Sequence, residues 1–360
     1  MAVRADDPRR RLPDGDERQA PAAGRADLRH GERRLTPLES AIVERIKAEG
    51  PLTVEAYMEA CNAYYYATRD PLGARGDFTT APEISQMFGE LVGAALADAW
   101  QRAGKPWPVR FVELGPGRGT LAADALRVMR SARLDPPIHF VETSPTLRAA
   151  QALQHPGAHW HDRIDELPDD GPLLLVANEF LDALPVRQHV GGQERRIEFI
   201  GGHLAFDRDG EIVETAPARD EAVAAIASRL VAQGGAALVI DYGHPESAPG
   251  DTLQALHAHR FARVLDRPGE QDLTAHVDFA AVARAARAAG AEVTLLAEQG
   301  PWLERLGIIA RAAALAATAP ERAGEIEEAR ARLCRPDRMG SLFKLLAIHA
   351  PGWPAPAGLG

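Results

Sequence analysis

Phe111-Val112-Glu113-Leu114-Gly115-Pro116-Gly117-Arg118-Gly119-Thr120 runs from a short apolar strand ending in an acid, through a glycine-studded turn, into a helical pattern over residues 121–130. Glycine takes φ values that a β-carbon would forbid and lets main chain pass close to a ligand. The new helix turns unpaired N–H groups toward whatever lies above it. The stretch therefore predicts a small-molecule cradle; taken alone, it also reads as a glycine-rich strand-to-helix turn without a ligand.

The order acid-x-G-x-G-x-G, with Pro116 inside the turn, departs from the G-x-G-x-x-G of dinucleotide sites, where the third glycine packs helix on strand beneath a pyrophosphate. Glu113 would meet a pyrophosphate with like charge. It can, however, accept hydrogen bonds through water from the ammonium of an amino-acid-bearing cofactor, and S-adenosylmethionine carries that ammonium. Residues 138–141 read as a second parallel strand ending at Glu142, where a carboxylate can accept both ribose hydroxyls. NAD enzymes use the same device, so Glu142 points to adenosine, and an NAD-dependent oxidoreductase is the rival reading.

Around this core, apolar runs at 109–114, 138–142, 158–160, 173–178 and 237–242 alternate with helical patterns, the signature of a parallel α/β sheet. Runs at 291–296 and 342–349 supply a last pair of strands, with Ala-rich helices over 302–318 and 321–333 between them. Alternation through 195–200, a Gly201-Gly202 turn and residues 203–206 predict a β-hairpin that extends the sheet or covers the site. Upstream, Thr36 caps a helix that Gly50 stops. A second helix spans about 54–62, a loop 64–82, and Ile84, Met87, Phe88 and Leu91 share one face of a third helix. The expected organisation is a tail over 1–34, a helical cap over 35–105, a ligand-binding domain over 106–350 with an insertion at about 186–220, and a second tail over 351–360.

A chain of 360 residues, 46% hydrophobic, is long enough for one large core or two modest ones. Its net charge of −10 argues against a general nucleic-acid surface and suits a cationic substrate. No apolar stretch predicts membrane insertion. Cys61 and Cys334 are far apart and lack a histidine at ligand spacing, so neither a disulfide framework nor a metal site is expected, and a reducing cytoplasm is the expected compartment. Residues 1–34 read as disordered, and their acids argue against a transit peptide.

Ligands of open parallel sheets sit above the carboxyl ends of the strands. The fourth run delivers Asn178-Glu179-Phe180-Leu181-Asp182 there, polar groups that need a partner or that simply cap a helix. Gly76 to Gln86 holds a second cluster, with Asp77, Thr80, Glu83 and Gln86; Thr80 and Glu83 also fit a capping box with Pro82 in the first turn. His276 and His244 follow later runs, and a lone histidine is more often structural than catalytic.

The blocks ELGPGRGTL, GDFTTAPEISQMFGE, ANEFLDALPVRQ, ALVIDYG, GEQDLTAHVDF and MGSLFKLL, in this order over residues 35–349, resemble the MidA-like family of class I S-adenosylmethionine-dependent methyltransferases. The resemblance implies a Rossmann-like sheet and a cofactor pocket at Glu113, Gly115, Pro116, Gly117, Gly119 and Glu142, with Asn178 bridging cofactor and substrate. It also implies symmetric dimethylation of a protein arginine, in a complex I subunit for the mitochondrial members. Arginine needs carboxylates to orient it and to accept the proton it sheds. Glu179 is the expected base, Asp182 and Asn178 its companions, and Asp77, Thr80, Glu83 and Gln86 the expected substrate contacts. A catalytically silent assembly factor that binds the cofactor is the remaining alternative.

Overall fold

A computed structural model describes residues 35–68 and 80–359, so the 1–34 tail and Asp77 lie outside the described residues. The apolar runs form strands β1 Arg110–Leu114, β2 Ile138–Val141, β3 His159–His161, β4 Leu173–Asn178, β5 Gly235–His244, β6 Glu292–Val293 and β7 Phe343–His349. They lie in the order β6-β7-β5-β4-β1-β2-β3, with β7 antiparallel to both neighbours and β1 to β5 mutually parallel. Every residue of β1 and β4 is buried, as expected of parallel strands covered on both faces. The chain runs outward from β1 to β2 on one side and to β4 on the other, so the crevice opens at the carboxyl ends of β1 and β4.

Helices Gln86–Arg102 and Thr120–Ser131 pack with residues such as Phe111, Leu174 and Leu238 on one face of the sheet. Pro217–Gln233 and Phe279–Ala288 cover the other. The first pair of helices meets main chain to main chain at Gly93, where a β-carbon would lie 2.5 Å from the Ala125 carbonyl oxygen and 2.6 Å from its Cα. Backbone cannot yield as a side chain does. Gly93→Val is therefore expected to cost about 3 kcal/mol or more through overpacking, read as a lowered urea midpoint; a midpoint equal to the native one would show that the helices can separate freely.

A third core joins the N-terminal helices to later segments, with Val43, Tyr57, Met58, Ile197, Leu204 and Leu273 in contact. Thr36 caps helix Pro37–Glu49 by accepting from the Glu39 N–H at 3.0 Å, and Gly50 ends it. The hairpin Arg196–Ile200 and His203–Phe206 forms as expected, turning at Gly201 and Gly202 with φ +59° and +83°. It pairs with Leu52–Thr53 and leaves the central sheet alone.

Two expected elements differ. The second helix runs Val54–Thr68 and does not end near 62, because Tyr65 continues the buried stripe of Val54, Tyr57, Met58 and Cys61; burial outweighs the weak helix preference of three consecutive tyrosines. The capping box at Thr80 and Glu83 does not form. Thr80 makes no side-chain cap bond, and the third helix is interrupted by Ser85, whose hydroxyl accepts from the Met87 N–H at 3.2 Å and starts a new helix at Gln86. Among the described residues no helix is long and apolar enough to cross a membrane.

Candidate active site

The turn after β1 lies in the left-handed region at each glycine, with φ +60° at Gly115, +55° at Gly117 and +81° at Gly119. It floors a cavity of about 780 Å³ whose lining includes Pro116, Glu142, Asn178, Glu179 and one face of helix Val54–Thr68. Asn62 holds that helix in place: its Nδ2 donates to the Ala183 and Leu273 carbonyls at 2.9 and 2.8 Å, and its Oδ1 accepts from the Leu273 N–H at 3.3 Å.

Glu113, one residue before the end of β1, lies on the cavity wall, 3% exposed, and its Oε2 has no hydrogen-bond partner among the described residues. Burial pushes its carboxyl up to about 8. A buried carboxylate oxygen left unsatisfied demands an explanation, and a cationic ligand supplies one.

Glu142, after β2, is held from both sides: Oε1 accepts from the Ser144 N–H at 2.8 Å and Oε2 from Gln151 Nε2 at 3.2 Å. Burial raises its carboxyl above the usual range. Gln151 also donates to the Gly117 carbonyl at 2.7 Å and accepts from Trp160 Nε1 at 2.8 Å, so one fully buried amide ties the glycine turn to the second acid. Sequence reasoning passed over Gln151. The available signal was its place four residues after Leu147, on the buried stripe of helix Pro145–Gln154.

At the end of β4, Asn178 Nδ2 donates to Glu179 Oε1 at 3.1 Å, while Asn178 Oδ1 is buried without a partner among the described residues. Glu179 has φ +51°, uncommon outside glycine, and its Oε1 also accepts from the Ala81 N–H at 3.3 Å. Its side chain is half-buried in the cavity wall. Burial, and then the neighbouring Asp182, push its carboxyl up to about 8.

Of the remaining expected contacts, Thr80 and Glu83 line the cavity. Glu83 Oε1 accepts from the Thr120 hydroxyl at 2.6 Å, and its other oxygen lies 3.8 Å from Arg118, so it braces the glycine turn. Gln86 is exposed outside the cavity, donating to Glu90 at 3.0 Å. Asp182 also stands off the wall: the Phe180-Leu181 turn carries it into the interior, 5% exposed, so the structure does not bring it to a substrate in the cavity. His276 and His244 line a separate hollow of about 350 Å³; burial, with His244 and Arg219, lowers His276 to about 4.

The cavity is lined by the acidic side chains of Glu55, Glu59, Glu83, Glu113, Glu142 and Glu179 against one basic side chain, Arg118. A pyrophosphate-bearing dinucleotide meets the wrong charge here. A sulfonium that also carries an ammonium meets the right one, with Glu113 and Asn178 oxygens free to receive it, Glu142 placed for ribose hydroxyls and bare glycine backbone beneath.

Residues 91–199 and 192–296 match a family model of S-adenosyl-L-methionine-dependent methyltransferases. The chain is similar to the Drosophila melanogaster protein arginine methyltransferase NDUFAF7 homolog, mitochondrial, with 35% identity covering 93% of this chain and 88% of the relative. It is also similar to the human protein arginine methyltransferase NDUFAF7, mitochondrial, with 31% identity covering 87% and 83%. Among solved structures, a COG1565 superfamily member from Burkholderia thailandensis bound to S-adenosyl-homocysteine superposes with a TM-score of 0.77 at 28% identity, covering 90% of this chain and 92% of the other. The expectation of a cytoplasmic location is overturned by these relatives, which are named mitochondrial proteins. Cysteine content does not separate one reducing compartment from another, which is why the sequence alone did not reach this.

Proposed function

The chain belongs to the MidA-like family of S-adenosylmethionine-dependent methyltransferases, and from that premise we propose that it methylates a protein arginine, with Glu179 as the base that receives the proton. The observation that carries this reading is Glu179 itself: a carboxylate on a left-handed turn, half-open to an acidic cavity, beside an Asn178 oxygen with no partner. The names of the relatives support the same acceptor. By the family resemblance the product is symmetric dimethylarginine and the substrate a subunit of respiratory complex I.

When bound, S-adenosylmethionine supplies an electrophilic methyl carbon. Glu113, Glu142 and the glycine turn hold the cofactor. A guanidinium stays protonated in water, so its nitrogen becomes a useful nucleophile only beside carboxylates that orient it and accept a proton as the new N–C bond forms. Glu179 takes that proton, with Asn178 Nδ2 and the Ala81 N–H fixing the orientation of its Oε1. Glu83 and Thr80 line the same cavity and face the incoming side chain. Much of the acceleration then comes from alignment and from exclusion of water.

The test uses complex I isolated from cells lacking this gene, incubated with the protein and methyl-labelled cofactor, then hydrolysed. Label is expected in symmetric dimethylarginine. Label confined to another amino acid, or none, would overturn the acceptor assignment.

Cofactor binding should also move a proton. Burial raises the Glu113 carboxyl to about 8, above its unfolded value, so at pH 7 it is largely protonated before a cation binds. A cation beside it favours the carboxylate and expels the proton, and affinity therefore rises with pH up to about 8 and then levels. Calorimetry at pH 7 in two buffers of different ionisation enthalpy should give different binding heats, and Glu113→Gln should bring them closer; equal heats in the native protein would contradict the linkage.

A further inference from the structure

We propose that Asp241 and Arg219 are positioning residues for Glu179, so that β5 sets the catalytic geometry although neither side chain reaches the acceptor. The inference rests on the assignment of Glu179 as base. Strands β4 and β5 run side by side with Asn178 opposite Ile240, and the ladder continues one bond further, from the Glu179 N–H to the Ile240 carbonyl at 2.9 Å. There β4 ends and the chain enters the left-handed turn.

A left-handed conformation at a glutamate persists only where its surroundings impose it. Asp241, the next residue of β5 and wholly buried, does so from one side. Its Oδ2 accepts from the Leu181 and Asp182 N–H groups at 3.0 and 3.2 Å, and its Oδ1 from the Tyr242 N–H at 2.9 Å. Arg219, 4% exposed in the first turn of Pro217–Gln233, acts from the other. It donates to the Asp182 carbonyl at 3.1 Å, and also to the Ala275 and His276 carbonyls at 2.9 and 2.6 Å. The N–H groups following Glu179 are thus gripped by one buried carboxyl group and a carbonyl of the same turn by a buried guanidinium. This gives roles to two blocks that line no part of the cavity: ALVIDYG supplies the carboxylate, and GEQDLTAHVDF supplies the carbonyls that anchor the arginine.

Asp241→Asn replaces one accepting oxygen with an NH₂ group that must face a main-chain N–H, so the turn has to shift. A misplacement of about 1 Å at a reacting group costs on the order of 100-fold in rate. With isolated complex I as acceptor, Asp241→Asn is expected to lower kcat about 100-fold while the KM for the acceptor and the Kd for S-adenosylhomocysteine change less than about threefold. Introduced into Glu179→Gln, the same change should cost nothing further, because a residue that acts through Glu179 has nothing left to position. A second large loss in the double variant would overturn the proposal. Should Asp241→Asn fail to fold, Arg219→Lys, which keeps the charge but loses the three-carbonyl grip, should show the same kcat-specific loss at about tenfold; an unchanged kcat there would overturn it equally. Full activity in Glu179→Gln alone is a different failure, because it removes the base and leaves the grip of Asp241 on the turn untouched.

Discussion

Glu179→Gln will bind S-adenosylmethionine as tightly as the native chain and transfer the methyl group about 1000-fold more slowly, within the range ascribed to general bases. Glutamine keeps the shape of the side chain and an oxygen that can accept from Asn178 Nδ2 and the Ala81 N–H. It loses the capacity to take a proton. The cofactor contacts proposed for Glu113 and Glu142 are untouched by the change, so the loss falls on turnover. The pH dependence gives a second reading: the carboxyl is raised from the ordinary glutamate value to about 8, so the fraction of free enzyme in the basic form, and with it the native rate at sub-saturating acceptor, should climb until about pH 8 and flatten above it. The variant should lack that climb. Single-turnover rates beside calorimetric affinities measure both, and a variant as fast as the native enzyme would remove Glu179 from the mechanism.

Gly115→Val should weaken cofactor affinity by about 100-fold or more, equivalent to about 2.7 kcal/mol. Gly115 sits at φ +60°, and a β-carbon there would lie 3.2 Å from Phe180 Cδ2 while projecting over the floor of the cavity. The left-handed penalty for a β-branched residue is about 1–2 kcal/mol. That corresponds to roughly 2 to 8 °C in the cofactor-free thermal midpoint, so a folded protein remains in which binding can be measured. An unchanged Kd in the valine variant would mean that the ligand does not lie against this turn.

The parts of the molecule readable from sequence are those governed by local rules. The central parallel strands announced themselves because strands covered on both faces are largely apolar, whereas the edge strand His159–His161 is polar and part-exposed; the glycine spacing announced the turn because φ itself was constrained. The unreadable parts are governed by distant partners. Gln151 and Asn62 are polar residues on helices, and nothing in their neighbourhoods in the chain reveals that their partners lie at Gly117 and Trp160, or at Ala183 and Leu273. Thr80 and Glu83 had the spacing of a local cap, yet Glu83 turns to Thr120 across the fold. Asp182 followed the strand that delivers Glu179, but two residues of turn separate a side chain on the wall from one in the interior. The hairpin was legible as a hairpin. Its partner, Leu52–Thr53, is a two-residue strand too short to carry a pattern.

The antiparallel β7 lies inside the sheet, between β5 and β6, although it is made after both of them. During translation at roughly 5–20 residues per second, β5 waits with one edge unpaired for about a hundred residues before Phe343–His349 emerges to fill the slot. A nascent chain therefore carries an open, apolar strand edge for several seconds, the kind of surface that recruits other strands. The newborn protein is most exposed to aggregation, and most dependent on chaperones, in the interval between the synthesis of β5 and that of β7.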